Sequence, residues 1–463
     1  MPKDSAIHFE ISERKVLLRI MDIVLVLSLV EVFGLVFQFD YLKLTQENWY
    51  WGALLAAYLT LFASIFELYD LQKASNLLVT FQNTILTASV TVLFYLFTPF
   101  LTPVLPENRI QILFLFLAII AGIMLWRFAY VTLISAPRFN KKVMVVGDSF
   151  DINLIAETLE KADPNYRIVG YVNTDSRHQA APVVTDLEAY PVENLGETVM
   201  QGGVSEIVVA SGFDGVSMEL YNELIQLLEK GFPIREYAQV YEELNQRVPV
   251  QNIDRDFYRY FPFSRSNKNR FYLFVHRFFD LLYGLLGILV LLVLAPMLWL
   301  LNLVANRGSF FFIQDRVGKN GKVFRLIKLR TMIRDAESGG AKYAQKNDKR
   351  ITPFGRILRR TRLDELPQFI NIIKGDMSLI GPRPERPQFV RELTELVPFY
   401  ETRHIVKPGL TGWAQVRGRY GSSHDDALEK LQYDLFYIKH RNLFLDLNII
   451  LKTFTTVIFF RGQ

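Results

Sequence analysis

The sequence predicts a membrane protein of mixed α and α/β architecture. Its expected parts are four N-terminal transmembrane helices, a degenerate Rossmann-like α/β domain, and a mainly α-helical domain anchored by a re-entrant membrane helix. Three observations predict it. Of the 463 residues, 50% are hydrophobic and 14% aromatic, more than a soluble chain usually carries. From residue 141 to about 240, strand-like and helix-like stretches alternate. Charge is segregated as well: residues 1–303 hold 23 Lys and Arg against 31 Asp and Glu, whereas residues 304–463 hold 29 against 16. That C-terminal excess of positive charge requires a polyanionic partner, and nucleic acid, anionic lipid headgroups and a nucleotide diphosphate all answer the description. No cysteine occurs, which excludes disulfides and cysteine-based zinc sites. The expected boundaries divide the chain into residues 1–138, 139–262, 263–306 and 307–463.

Four apolar runs, near 16–38, 49–69, 76–101 and 110–134, each approach the roughly 20 residues that cross a bilayer. Linkers such as YDLQKAS and TPVLPENR leave little chain for another fold. Lys3, Arg14, Lys15, Lys73, Arg138, Lys141 and Lys142 fall on one side of these runs, Lys43 and Arg109 on the other. By the positive-inside rule, the N-terminus and everything after residue 135 are expected in the cytoplasm. The first run has no small-residue cleavage site and does not read as a secretory signal. Asp22 and Glu31 lie at membrane depth, where an ionisable side chain usually faces a neighbouring helix or an interface.

The middle region opens with KKVMVVGDSFDINLIAETLEK, a buried strand, a turn and an amphipathic helix. Strand-like YRIVGYV and SEIVVAS follow, then the helix MELYNELIQLLEKG and the strand FPIREYA. Such alternation predicts a parallel sheet. A dinucleotide fingerprint needs three glycines here, but only Gly147 is present, with Ser149 and Ile152 at the other positions. No Tyr-x-x-x-Lys pair follows. Regulation or assembly is therefore expected of this domain rather than redox chemistry.

A fifth apolar run, within FYLFVHRFFDLLYGLLGILVLLVLAPMLWLLNLVAN at 271–306, is long enough to span. Arg265, Lys268, Arg270 and Arg277 precede it, and Arg307, Arg316, Lys319, Lys322, Arg325, Lys328 and Arg330 follow, so both ends read as cytoplasmic. Pro296 removes a backbone donor near the middle, as a segment that enters and turns back requires. A kinked spanning helix is the alternative, and it would put the basic domain outside the cell.

The basic domain contains QDRVGKNGKVFRLIKLRTM, LRRTRLDELPQFINIIKGDMSLIGPRPERP and KPGLTGWAQV. DELPQFINIIKGD reads as a helix with Leu366, Phe369, Ile370 and Ile373 on one face, Pro367 in its first turn and Gly375 as its stop. Asp364 and Glu365 then stand at or just before its N-terminus, where anions are favoured. A carboxylate can attack phosphorus if cations mask the phosphate charge. A neighbouring acid that binds magnesium supplies part of that masking, and arginine forks supply the rest. Lys328, Arg330, Arg359, Arg360 and Arg383 are the cations in reach by sequence. A solvated salt-bridge cluster is the bland alternative for an isolated Asp-Glu pair.

LRRTRLDELPQ with GDMSLIGPRPE, KLRTM, QDRVG and KPGLTGWAQV closely resembles the bacterial sugar transferases, monotopic phosphoglycosyl transferases. The layout resembles the large undecaprenyl-phosphate glucose or galactose phosphotransferases that begin exopolysaccharide, capsule or O-antigen synthesis in the bacterial inner membrane. The resemblance implies transfer of a hexose 1-phosphate from a UDP-sugar to undecaprenyl phosphate, with Mg2+ as cofactor. It implies Asp364 as nucleophile and Glu365 as the magnesium ligand. Lys328, Arg359 and the turn Pro382-Arg383-Pro384 match positions for phosphate and nucleotide contact, and Pro296 matches the helix break. Arg277 and Asp280 match a basic-x-Phe-Asp pattern at the lipid headgroups. This chain departs from the pattern at His276, Ala295 and Arg362.

UDP-sugar, undecaprenyl phosphate and membrane lipids are thus the expected partners, nucleic acid is not, and a homodimer is left open. The rival functions are a membrane-tethered polyanion-binding module and a non-catalytic scaffold of polysaccharide assembly. The C-terminal LFLDLNIILKTFTTVIFFRG reads equally as an interfacial or a core helix, and Tyr433, Asp434 and His440 carry no role beyond packing and hydrogen bonding.

Overall fold

The computed structural model describes the chain apart from residues 1–10, 40, 42, 71–73, 75–76, 135–140, 148–151, 164, 174–186, 211–216, 251–268, 307, 334–335, 337–347, 419–423 and 459–463. Lys3, Lys73, Arg138, Ser149, Arg265, Lys268 and Arg307, used above, lie outside the described residues. Two compact units result, Met1–Val240 and Tyr241–Gln463.

The first unit begins with α1 (Ile11–Phe37), α2 (Trp49–Ile65), α3 (Leu77–Leu96) and α4 (Ile110–Ala129). Three of these are long and apolar enough to cross a bilayer, and α2, at 17 residues, is at the short limit. They pack around Leu18, Val26, Leu55, Leu59, Ile119 and Ile123. Gly122 lets α4 approach Val26 of α1 closely. Asp22 meets the neighbouring helix: Arg127 of α4 donates to its two oxygens at 3.0 and 2.8 Å, and both side chains are fully buried.

A parallel five-stranded sheet follows, with spatial order β3-β2-β1-β4-β5. In chain order its elements are β1 (Lys141–Gly147), α5 (Ile152–Ala162), β2 (Tyr166–Asn173), β3 (Glu188–Tyr190), α6 (Leu195–Gln201), β4 (Glu206–Val209), α7 (Met218–Glu229), β5 (Ile234–Glu236) and α8 (Tyr237–Asn245). β1 is central, pairing Val145 with Tyr171 on one side and Val208 on the other. Buried on both faces, it reads as a continuous Val and Met run. Sequence reading misses β3, α6 and α8, which lack a long apolar run. Arg14 of α1 and Asp163 after α5 form a buried pair that fastens the sheet region to the bundle.

The second unit starts at Tyr241, within α8, and so takes in residues 241–250, which the sequence grouped with the middle domain. Val248 and Val250 are buried among Trp413, Leu431, Leu435 and Ile449. The Gln246 carbonyl accepts the Trp413 indole N–H at 2.9 Å. Next comes α9 (Arg270–Ala305), 36 residues long; Pro296 lies inside it, so the break expected there does not interrupt the helix, since a proline removes only its own N–H and the turns on either side stay helical. The hairpin β6 (Phe311–Val317) and β7 (Val323–Leu329) leads to α10 (Pro353–Arg360) and α11 (Gln368–Lys374). β8 (Ser378–Ile380), α12 (Pro387–Leu396), β9 (Gly409–Thr411), α13 (Trp413–Arg417), α14 (His424–His440) and α15 (Leu443–Ile458) complete the unit, β8 and β9 pairing in parallel.

One stripe of α9 is buried: Tyr272, Asp280, Gly284, Gly287, Leu291, Leu298 and Asn302. The Tyr272 hydroxyl donates to Asp446 of α15, and near the far end Asn302 donates to the Gly308 carbonyl while Asn306 donates to that of Arg330. Most of the remaining face is apolar and exposed, Phe274, Leu285, Val293 and Val304 included. α15 buries Asp446, Ile449 and Lys452 and exposes Leu443, Phe444 and Leu447, an inverted arrangement for a soluble helix.

Candidate active site

Local sequence builds the site around the acid pair. Thr352 caps α10 by accepting from the Gly355 N–H at 2.9 Å, and Pro353 occupies the first turn. The helix stops after Arg360, and Arg362 adopts a left-handed φ of 58°, which costs a residue with a Cβ about 1–2 kcal/mol. That bend releases Leu363–Glu365 as a single 3-10 turn, so both carboxylates precede α11 rather than lie in it. Gly375, at φ 90°, ends α11 with its N–H directed at the Asn371 and Ile372 carbonyls.

The face of α11 given over to protein interior differs from the expected one. Gln368, Asn371 and Ile372 are its buried residues. The expected face instead meets α9: a Cβ on Gly287 would stand 2.2 Å from the Phe369 ring, and one on Gly284 would stand 2.9 Å from Ile373. Close approach at two glycines seats α11 on α9. Asn371 locks the opposite side to β7, donating to the Arg325 carbonyl at 2.8 Å and accepting from the Ile327 N–H at 3.2 Å.

Asp364 and Glu365 are each only 8% exposed. Glu365 Oε1 accepts from Arg383 Nη2 at 3.0 Å, with Arg362 Nη1 at 3.5 Å and Lys328 Nζ at 3.7 Å. Asp364 Oδ1 is buried and has no hydrogen-bond partner among the described residues. Burial alone would raise both carboxyls, but Arg383, Lys328 and Arg362 overcome it at Glu365, which is held below its usual value. At Asp364 burial prevails, reinforced by the Glu365 charge, and its carboxyl is raised despite Lys328 and Arg359. Burial also lowers Lys328, to about 8, against the pull of Glu365. Two adjacent acids with pKa values driven apart are a common signature of divided chemical roles.

Among the other residues singled out by sequence, Arg359 donates through Nε to Thr331 Oγ1 at 3.0 Å, and its charge reaches Asp364. Arg330 extends past Gly308, and Arg360 is exposed on the last turn of α10. Pro382 and Pro384 are buried and flank Arg383. Arg277 donates to the Ile372 and Ile373 carbonyls, both at 2.8 Å, while Asp280 accepts from Ser378 Oγ at 2.8 Å and the Leu379 N–H at 2.7 Å. This pair therefore braces both ends of the α11–β8 connection. His276 stands 3.8 Å from Asp280 and 3.9 Å from Asp446.

Sequence reading missed the residues that hold the turn carrying Arg383. The four carbonyls from Pro382 to Glu385 accept, in order, from the Gly409 N–H of β9 at 2.9 Å, Arg403 Nη2 at 3.0 Å, and two donors of β6, Arg316 Nη1 at 2.9 Å and the Val317 N–H at 2.9 Å. Prolines, which have no N–H to offer, make such a turn acceptor-rich, a signal readable only as a need for donors.

Comparison with known proteins covers this unit. Residues 271–460 match the family model described as bacterial sugar transferase. A UDP-N-acetylgalactosamine-undecaprenyl-phosphate N-acetylgalactosaminephosphotransferase of Aeromonas hydrophila is 38% identical over 226 residues, 49% of this chain and 52% of the relative. A UDP-glucose:undecaprenyl-phosphate glucose-1-phosphate transferase of Escherichia coli (strain K12) is 39% identical over 175 residues, 36% of this chain and 37% of the relative. An uncharacterized sugar transferase of Bacillus subtilis (strain 168), EpsL, is 41% identical over 152 residues, 33% of this chain and 71% of the relative. The chain thus spans about half of the Aeromonas relative or less of the Escherichia one, but most of the Bacillus protein. Its matched stretch runs through the acid pair, the cationic turn and α9, and the chain belongs to the bacterial sugar transferase family.

Proposed function

We propose that this protein transfers a hexose 1-phosphate from a UDP-sugar to undecaprenyl phosphate, beginning an exopolysaccharide, capsule or O-antigen unit at the cytoplasmic face of the bacterial inner membrane. The observation that carries the reading is a buried Asp364 with an unpartnered oxygen, beside an ionised Glu365 and the cations Lys328, Arg359 and Arg383. An oxygen of Asp364 attacks the sugar-bearing phosphorus, the bond from that phosphorus to the bridging oxygen breaks, and UMP leaves. An oxygen of undecaprenyl phosphate then attacks the same phosphorus, releasing the Asp364 carboxylate and the lipid diphosphate sugar. Arginine forks and Lys328 neutralise the charge on the phosphate oxygens.

Magnesium fits this donor set. Glu365 is kept anionic, and Asp364 Oδ1 has no partner among the described residues. That is the pattern of an ion held by one or two carboxylates together with substrate phosphates. Bound there, it would stabilise developing negative charge on the diphosphate.

The membrane arrangement follows the acceptor. At 36 residues α9 measures about 54 Å, yet its buried stripe touches one and the same unit from Tyr272 to Asn302. A helix flanked by its own domain along its length, with an apolar outer face, suits a re-entrant anchor better than a crossing. The sheet order β3-β2-β1-β4-β5 is that of a doubly wound nucleotide fold, which supports the Rossmann-like description of the middle region.

The test is UMP release by the full chain in membranes with Mg2+ and undecaprenyl phosphate, screened over UDP-glucose, UDP-galactose and their N-acetylated forms. Release with at least one donor, abolished by Asp364→Asn, is expected. Full turnover in that variant would rule out covalent catalysis through Asp364, and no release with any donor would sink the reading.

A further inference from the structure

Arg403 lies in the 3-10 turn Tyr400–Ile405 and, with Asp434 of α14, forms an ion pair buried on both sides. Nothing in the proposed chemistry requires a charge there, and Arg403 makes no contact with the acid pair. Its partners are nevertheless specific. Nη1 donates to the Tyr400 hydroxyl, while Nη2 donates both to Asp434 Oδ2 at 2.7 Å and to the backbone carbonyl of Arg383 at 3.0 Å. Arg383 is the residue whose own guanidinium holds Glu365 at 3.0 Å. Asp434, Arg403, Arg383 and Glu365 thus form an unbroken chain from the core of α14 to the acid pair.

A buried ion pair is commonly no more than a neutral contributor to stability, so its place in this chain needs another explanation. The turn Pro382-Arg383-Pro384 is short of donors, and an Arg383 free to tilt would carry its guanidinium away from Glu365. We propose that Arg403, oriented by Asp434, is a positioning residue that fixes the Arg383 backbone and thereby aims the Arg383 guanidinium at Glu365 and the phosphate charge beside it. The role rests on the reaction proposed above. Lysine cannot reproduce it, since an ammonium lacks the planar fork that serves three partners at once.

A double-mutant cycle on kcat/KM for UMP release tests this, with thermal unfolding of each variant measured in parallel. Arg403→Lys is expected to lower kcat/KM about tenfold to a hundredfold, the range for a misplaced catalytic group. Combined with Arg383→Ala it should lower it no further than Arg383→Ala alone, because both changes remove the same interaction. Asp434→Asn keeps an acceptor for Arg403 and serves as the milder variant should Arg403→Lys not fold. It should show the same non-additivity. Tyr400→Phe loosens Arg403 at the other nitrogen, and its loss of kcat/KM, smaller than that of Arg403→Lys, is likewise expected to vanish in the Arg383→Ala background.

Effects of Arg403→Lys and Arg383→Ala that multiply, or a Tyr400→Phe loss of activity that persists undiminished in the Arg383→Ala background, would reduce Arg403 to a structural residue. Calorimetric titration with magnesium pyrophosphate keeps the two ideas apart. Without turnover in the unaltered chain the reaction fails, yet non-additive loss of pyrophosphate affinity in the same variants would still support Arg403 acting through Arg383. Additive loss, or no pyrophosphate binding by the unaltered chain, overturns the positioning role.

Discussion

At the residue scale, Asp364 is placed at odds with stability. Burial first, and then the Glu365 charge, raises its carboxyl, while three cations keep Glu365 low. A nucleophilic carboxylate must be ionised, so turnover is expected to fall on acidification sooner than protonation of an exposed aspartate would cause. Stability runs the other way. Between the unfolded value and the raised folded one, the native state holds a proton that the unfolded state has released. Asp364 therefore weakens the fold as pH rises through that window, and the full penalty persists above it. Asp364→Asn removes the penalty and should raise the unfolding temperature at pH 8, on the scale of about 1 kcal/mol, with the advantage gone near pH 3. Lower thermal stability than the parent at pH 8 would contradict that assignment. Asp364 and Glu365 were legible in the sequence because their flanks are charged and proline-rich. Arg316 and Arg403 were not, since each acts on a backbone carbonyl, which no motif spells out.

At the element scale, the acid pair depends on how α11 is seated. Its Phe369 and Ile373 side rests on the glycines of α9, and its Asn371 side is bonded to β7. The periodicity of Leu366, Phe369, Ile370 and Ile373 correctly marks an apolar face, but Phe369 and Ile373 of that face meet α9, and the deeper burial falls on Gln368, Asn371 and Ile372. Gly287→Val places a branched side chain against the Phe369 ring. Overpacking of this kind costs about 1–3 kcal/mol, and by shifting α11 it should lower UMP release without altering any charged group. The check is turnover and thermal unfolding of this variant; unchanged turnover would mean the acid pair does not rely on that contact.

At the scale of the whole molecule, the absence of cysteine makes topology directly measurable, since one introduced cysteine is a unique label. Glu47 and Glu107 lie in exposed connections between N-terminal helices, whereas Arg270 opens α9 and Ser309 lies four residues beyond its last residue, Ala305. With a membrane-impermeant maleimide, cysteines at 47 and 107 are expected to react in intact cells. Those at 270 and 309 should react only once the inner membrane is opened. Labelling of exactly one end of α9 in intact cells would make it a spanning helix and defeat the re-entrant anchor.

The sequence by itself determined the apolar N-terminal helices, the alternating sheet region and the identity of the acid pair. Each of these is written in local signals: hydropathy over about 20 residues, a change of period, or charge packed into a short stretch. Only the tertiary structure decided that residues 241–250 complete the core of the second unit, that Arg277 and Asp280 brace α11 and β8, and that Arg403 reaches Arg383. Those contacts join residues far apart in the chain through backbone groups that every residue possesses, so burial and geometry, not residue type, select the partners.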